Sequence, residues 1–281
     1  MMCGRYASAR KRIELLEEFS VQRDEVTEPL KPDYNVAPTK PVYAVVDRAE
    51  RPADTDGKPD AGRTGSTGAI ARELRVMRWG LVPFWAKDVK IGSRMINARA
   101  ETVAEKPAFR RAFARRRCLL PADGYYEWQQ LPGEPKQPIY ISRSDGQSLA
   151  FAGLYELWRD PEFQSGDDDA WLWTTTIITT SAPDELGMIH DRMPMIIDSG
   201  SWSDWLSPAN TDVADLRALL TPAMVSDLTT WPVSTEVNSV RHNGPELIEP
   251  LVRGAAELAG QAPGDRRGAA DGGDDGTGAL F

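Results

Sequence analysis

The chain has 281 residues, room for one large domain or two small ones, and its 41% hydrophobic content with nine Trp is enough to build a substantial core. A net charge of −9 argues against indiscriminate nucleic-acid binding, and two Cys and two His exclude a disulfide framework and argue against a zinc site. No apolar run approaches a membrane span and no basic-then-apolar leader precedes the first helix, so the chain reads as cytosolic with reduced thiols.

The chain opens Met1-Met2-Cys3-Gly4-Arg5-Tyr6. Ser8 is expected to cap a helix reaching about Phe19, with Ile13, Leu16 and Phe19 forming an apolar stripe and Leu15 beside them. Tyr34-Asn35-Val36-Ala37-Pro38-Thr39 reads as a turn-rich segment, and residues 42–46 as a strand. Residues 50–67 are Gly, Asp, Pro, Ser and Thr with little to bury, a disordered insertion in a loop rather than a domain boundary, because strand signals resume at once. Residues 74–81 are strand-like and lead into Trp79-Gly80-Leu81-Val82-Pro83-Phe84-Trp85.

The extended piece Ile96-Asn97-Ala98-Arg99-Ala100-Glu101-Thr102 places Asn97 and Arg99 on one side. A short basic helix is predicted from Pro107 to about Arg116. Residues 118–128 read as strand, turn and strand around Asp123-Gly124, and 137–142, 149–157 and 171–180 as further strands. A helical turn at 182–188 delivers His190-Asp191-Arg192-Met193-Pro194 and a strand at 195–197. Helices are predicted at 202–206 and 213–220, with a last ordered piece from Pro232 to about Val252. Beyond Gly254 the chain is a disordered acidic tail whose terminal Ala279-Leu280-Phe281 is either a chance sequence or a docking motif for a partner such as a sliding clamp. Many short strands broken by short helices indicate an α+β fold around a mainly antiparallel, barrel-like sheet. One domain spans residues 2–252, and no glycine-rich phosphate loop or other cofactor motif is present.

Several residues are suited to chemistry. Removal of both methionines would make Cys3 terminal, with an α-amine of pKa about 7.7 to 8.0 beside a thiol of about 8.5. Such a pair condenses with an aldehyde to an imine and then closes a five-membered thiazolidine ring. The alternative is a small apolar residue near a chain end. Met1 before Met2 resists the usual aminopeptidase trimming, so translation is expected to begin at Met2. Glu127, in Tyr125-Tyr126-Glu127-Trp128, is a carboxylate among aromatics, which raises a pKa toward acid–base use if the side chain is buried, or an outward strand residue if it is not. His190 can move protons near neutral pH or serve structure, and Asp191 and Arg192 beside it can orient it. The Asn97 amide can bond a sugar or carbonyl oxygen and the Arg99 guanidinium can hold a phosphate. Trp79 and Trp85 can stack on bases or fill core. Between Lys87 and Arg117 ten Lys/Arg face three Asp/Glu, a local balance of +7 in an acidic chain.

Met-Cys-Gly-Arg-Tyr at the start, Tyr34-Asn35-Val36-Ala37-Pro38, Trp79-Gly80 with Pro83, the 96–102 segment, Asp123-Gly124-Tyr125-Tyr126-Glu127-Trp128, His190-Asp191-Arg192-Met193-Pro194 and Trp231-Pro232-Val233-Ser234 occur in one order. Together they resemble the SOS response-associated peptidase (SRAP) family, from about Met2 to Val252. The resemblance implies one α+β domain that binds single-stranded DNA at abasic sites, with Cys3 cross-linking to the ring-opened sugar as a thiazolidine. It implies that Asn97 positions the sugar and that Glu127 and His190 handle protons. Arg5, Arg99 and Arg192 would grip phosphates, and Asn35, Pro38, Trp79 and Trp85 would shape the pocket and DNA path. It further implies a peptidase activity that exposes Cys3, a monomer without cofactor, and a cytoplasmic, nucleoid-associated location. The extra Met1, the insertion and the tail depart from the family pattern. A different enzyme class fits the same terminus: an amidohydrolase using Cys3 with its own amine as base. A non-catalytic DNA-binding module with Cys3 incidental is the third reading.

Overall fold

Two apolar stretches set the frame of the molecule. Residues 42–46 and 149–158 are buried at every position, so their strands meet packed layers on both faces. The computed structural model describes residues 4–49, 69–162, 170–221 and 227–251. Cys3, the 50–67 insertion and the tail beyond Gly254 lie outside the described residues.

The elements follow in chain order as β1 (Tyr6–Ser8), α1 (Arg12–Glu18), β2 (Arg23–Asp24), β3 (Asp33–Val36), β4 (Pro41–Ala49), β5 (Ile70–Trp79), β6 (Asn97–Arg99), α2 (Arg110–Arg115), β7 (Arg117–Ala122), β8 (Gly124–Gln129), β9 (Gln137–Arg143), β10 (Leu149–Arg159), β11 (Trp171–Ser181), α3 (Asp184–Gly187), β12 (Arg192–Pro194), α4 (Trp202–Leu206), α5 (Val213–Ala218) and β13 (Leu228–Pro232). Strands β11, β10, β7, β4 and β5 are antiparallel neighbours in that order. A parallel pairing of β5 back onto β11, Arg78 with Thr174 and Trp79 with Thr175, closes them into a five-stranded mixed barrel. Closure removes the two sheet edges that would otherwise be exposed. A second, wholly antiparallel sheet runs β13-β9-β8-β1-β3. The α+β, mainly antiparallel, barrel-like reading of the sequence therefore holds. The described residues up to Pro250 form one compact unit.

Alternation along the barrel strands divides the core. Val42, Ala44 and Val46 of β4 pack in one cluster with Tyr6, Val36, Tyr125, Ile139 and Ile141 of the second sheet. Tyr43 and Val45 point the other way, to a cluster with Leu15, Phe19, Phe113, Trp205 and Leu216 of the helices.

Four expectations need correction. The first helix begins at Arg12, and Ser8 lies in β1, paired with Asp33. Starting there puts Leu15 and Phe19 inward, one turn apart, and leaves Ile13 58% exposed. Tyr34 to Val36 are strand rather than turn, because β1 supplies a partner. The strand expected at 195–197 falls at Arg192–Pro194, where β11 provides the ladder, and Ile196 makes only a lone bridge to Phe151. The basic run is also not one surface. Arg116 is buried against Glu156 (2.6 Å), and the buried Arg117 guanidinium donates to the carbonyls of Phe113, Trp205, Ser207 and Asn210. Lys87, Lys90, Arg94, Arg99, Lys106, Arg110, Arg111 and Arg115 remain exposed.

The glycine after Trp79 has a specific reason. Gly80 has φ +124°, and a Cβ there would lie 2.6 Å from the carbonyl oxygen of Gly92. Gly92 belongs to the short 3₁₀ turn Val89–Arg94, and its own Cβ would lie 2.5 Å from Gly80 O. This backbone contact fixes the end of β5 against the segment that leads into β6. Gly80→Ala adds both strain and clash, about 2–3 kcal/mol. A thermal melt should show a Tm lower by about 5–10 °C.

Candidate active site

Glu127 comes from β8 in the second sheet, where it pairs with Ile139 and is 4% exposed. Alternation puts its side chain on the face of Tyr125, Ile139 and Ile141, which belong to one buried apolar cluster, while Tyr126 and Trp128 point to the other face. Burial pushes its pKa up to about 8. Its Oε1 is buried and has no hydrogen-bond partner among the described residues. Oε2 lies 4.0 Å from His190 Nδ1.

His190 is carried by the turn after α3. The Arg192 N–H donates to its Nδ1 at 3.1 Å, a bond that fits the neutral tautomer with its proton on Nε2. Asp191 Oδ1 is also 3.1 Å from Nδ1 and takes that proton's bond when the ring is charged. A buried carboxyl and a half-buried imidazole thus share one corner.

The N-terminal strand is led to the same corner. Tyr6 pairs with Tyr125 and Ala7 with Gly124, and the Tyr126 N–H donates to Arg5 O at 3.0 Å. Running backward from Tyr6, the chain therefore passes Tyr126 toward Glu127. Cys3 is outside the described residues, and Gly4, its covalent neighbour, is the first residue described.

Asn97 and Arg99 lie on β6, which pairs in parallel with β11 (Asn97 with Ile177, Arg99 with Thr179). Asn97 is 8% exposed, and Arg99 faces solvent. Strand β12 flanks the other side of β11 and carries Arg192 opposite Ser181. Trp79 connects these parts. Its ring meets Tyr6 edge-on at 5.3 Å, and its Nε1–H donates to the carbonyl of Ile96, the residue before Asn97 (2.9 Å). Trp79 is fully buried, so it sets positions rather than a surface. Pro38 lies in the turn whose Thr39 N–H donates to Trp79 O (2.8 Å).

The remaining sequence candidates divide by exposure. Trp85 is 51% exposed beside Phe84, over which Arg111 sits at 4.6 Å. Arg192 makes a bidentate pair with Glu101 (2.6 and 3.0 Å) and donates to Thr179 O (2.7 Å). That hydrogen bond holds the Glu101 carboxyl below its usual pKa. Asn35 is fully buried and accepts from Arg5 Nη1 at 2.6 Å. Sequence reasoning gave no role to Glu101, or to Asn238, whose Oδ1 accepts the Trp128 Nε1–H at 2.6 Å. Their partners are 91 and 110 residues away, and no local pattern marks such pairs. Among the described residues, no group of three or more His, Cys, Asp or Glu is placed to hold a metal ion, and no helix is long and apolar enough to cross a membrane.

A model of the SOS response associated peptidase (SRAP) family matches residues 2–240. The abasic site processing protein YoqW of Bacillus subtilis (strain 168) is 39% identical over 248 residues, covering 88% of this chain and 99% of its own. The abasic site processing protein HMCES of Gallus gallus is 32% identical over 247 residues, covering 80% of this chain and 68% of its own. A crystal structure of a protein from Bacteroides thetaiotaomicron superposes with a TM-score of 0.69 at 26% identity, covering 88% of this chain and 99% of that one.

Proposed function

The chain belongs to the SOS response associated peptidase family, and from that premise we propose that it captures abasic sites in single-stranded DNA through a covalent cross-link to Cys3. The observation that carries this reading is Glu127: a buried carboxyl with its pKa near 8, 4.0 Å from a histidine, at the point toward which the N-terminal strand leads. The names of the relatives from Bacillus subtilis and Gallus gallus point to the same lesion.

The steps follow from the chemistry of an aminothiol. With both methionines gone, the Cys3 α-amine adds to the aldehyde carbon of the ring-opened sugar. The carbinolamine then loses water to give a carbon–nitrogen double bond. Glu127, protonated at neutral pH because burial raises its pKa, supplies the proton that leaves with the hydroxyl. The dehydrated carbon–nitrogen double bond is thus an iminium that keeps its N–H; the resulting carboxylate takes the thiol proton, and Sγ adds to the iminium carbon. One thiazolidine and one water result. His190 exchanges protons between this corner and solvent. Asn97 orients the sugar. Arg99 and the other exposed cations from Lys87 to Arg115 hold phosphates, and Trp85 offers a face for an unpaired base. Arg192, already paired with Glu101, fixes the His190 turn. A hydrolytic step that exposes Cys3 belongs to the same reading.

Those cations favour DNA over a small amide as substrate. The test is a denaturing gel of protein, its N-terminus checked by mass, with an abasic oligonucleotide in single-stranded and duplex form. A single-strand adduct that forms without reductant supports the proposal. No adduct from protein that begins at Cys3 refutes it and returns attention to amide substrates.

A further inference from the structure

Outside the Glu127–His190 corner, Asn35 makes a set of polar contacts. Its side chain is fully buried and joins three distant parts of the chain. Oδ1 accepts from Arg5 Nη1 at 2.6 Å. Nδ2 donates to the carbonyls of Val237 (3.2 Å), Ser239 (2.9 Å) and His242 (3.0 Å). Arg5 Nη1 also reaches Val237 O, at 2.8 Å. One amide therefore ties residues 237–242, near the end of the domain, to the first residues of the N-terminal strand.

A second tie acts on the same turn from outside. The Trp128 Nε1–H donates to Asn238 Oδ1 at 2.6 Å, and the Trp128 ring lies under the Arg5 guanidinium, 5.8 Å from its centroid. Trp128 is the residue after Glu127. Arg5 is thus gripped on one edge by Asn35 and Val237 and on one face by the neighbour of Glu127. Its carbonyl accepts the Tyr126 N–H (3.0 Å). Among the described residues, Arg5 is held by this network and by that backbone bond.

We propose that Asn35 is a positioning residue: acting through Arg5 and residues 237–242, it locks the N-terminal strand in the register that presents Cys3 to Glu127. The inference rests on the cross-linking reading for its consequence, while the lock itself is a property of the fold. Asn35 contacts no DNA in this scheme. Loss of the lock lets the strand end fray and lowers the fraction of time the nucleophile is in place, so the chemical step slows while DNA binding holds.

Two readouts test it. The first is amide exchange at Tyr126, whose N–H depends on Arg5 O, with Asp123 as control, since its N–H goes to Ala7 O deeper in the same strand pair (2.8 Å). Asn35→Ala should speed exchange at Tyr126 about tenfold and leave Asp123 near its original rate. Asn238→Ala, at an exposed residue, should shift Tyr126 in the same direction and serves where the buried variant fails to fold. The second readout is the single-turnover cross-linking rate at saturating abasic oligonucleotide. Asn35→Ala should lower it about tenfold with binding changed less than about twofold. The double variant Arg5→Met with Asn35→Ala should be no slower than Arg5→Met alone, because both remove one unit. Unchanged Tyr126 exchange in either variant overturns the lock, and so do additive losses of rate. If the unaltered protein forms no adduct at all, the cross-linking reading falls, and Tyr126 exchange still decides the lock.

Discussion

Cys3→Ala is expected to lose the reductant-free adduct entirely, from most of the oligonucleotide to background. The substitution keeps the α-amine, so an imine with the sugar aldehyde still forms. Imines are hydrolysed within the time of a denaturing gel. Only the Sγ attack that closes the five-membered ring makes the link durable, and alanine has no sulfur to close it. Added cyanoborohydride should therefore still trap Cys3→Ala on the abasic strand, while omitting it leaves nothing. Protein whose mass shows Met2 retained should form no reductant-free adduct, because its Cys3 nitrogen is an amide and no thiazolidine can close on it. An adduct of normal yield with Cys3→Ala and no reductant would mean that another nucleophile does the work.

Glu127→Gln carries the second large effect and has two separate signatures. In cross-linking, Gln cannot supply the proton that leaves with water, and the rate at pH 7 should fall by about 10²- to 10⁴-fold. The unaltered protein should slow as pH rises past about 8, where the carboxyl loses that proton, and the variant should not. In stability, the sign follows from the raised pKa. The folded state holds the proton more tightly than the unfolded chain, whose pKa is 4.5. The Glu127 contribution is therefore full below pH 4.5 and is lost progressively as pH rises through 8. For a side chain this buried the loss by pH 8 is on the order of 4 kcal/mol. Glu127→Gln has no proton to lose, so its Tm should exceed that of the unaltered protein at pH 8 by about 10 °C and approach it near pH 5. Equal Tm differences at the two pH values would show that the Glu127 carboxyl is not desolvated.

Much of the fold was legible because long buried strands announce themselves. The runs at 42–46, 149–157 and 171–180 became β4, β10 and β11, and the Asp123-Gly124 turn fell between β7 and β8 as read. Three-residue strands were harder. β1 and β12 have little pattern of their own and exist because β3, β8 and β11 offer ladders to them. Barrel closure through the parallel β5–β11 pair leaves no local mark in either strand.

The site was legible as motifs and less so as roles. Glu127 among aromatics did prove to be buried, and His190 did come beside it. Trp79 reads from its sequence as core or as a face for a base, and Asn35 takes a place on the DNA path only through the family resemblance. Both are fully buried, and the partners that explain Asn35 lie 202 to 207 residues downstream. Arg116 and Arg117 counted toward a basic surface by charge alone, yet one closes an ion pair with Glu156 and the other satisfies backbone carbonyls. Charge runs in sequence do not separate solvated cations from those used to finish a core.

The most direct measurement is the intact mass of the covalent complex with a single-stranded abasic oligonucleotide, formed without reductant and followed by peptide mapping. The expected mass is that of the protein beginning at Cys3 plus the oligonucleotide, less one water, with the link on the N-terminal peptide. A link on a lysine, a protein portion that still carries Met2, or no covalent complex would contradict capture by a terminal cysteine.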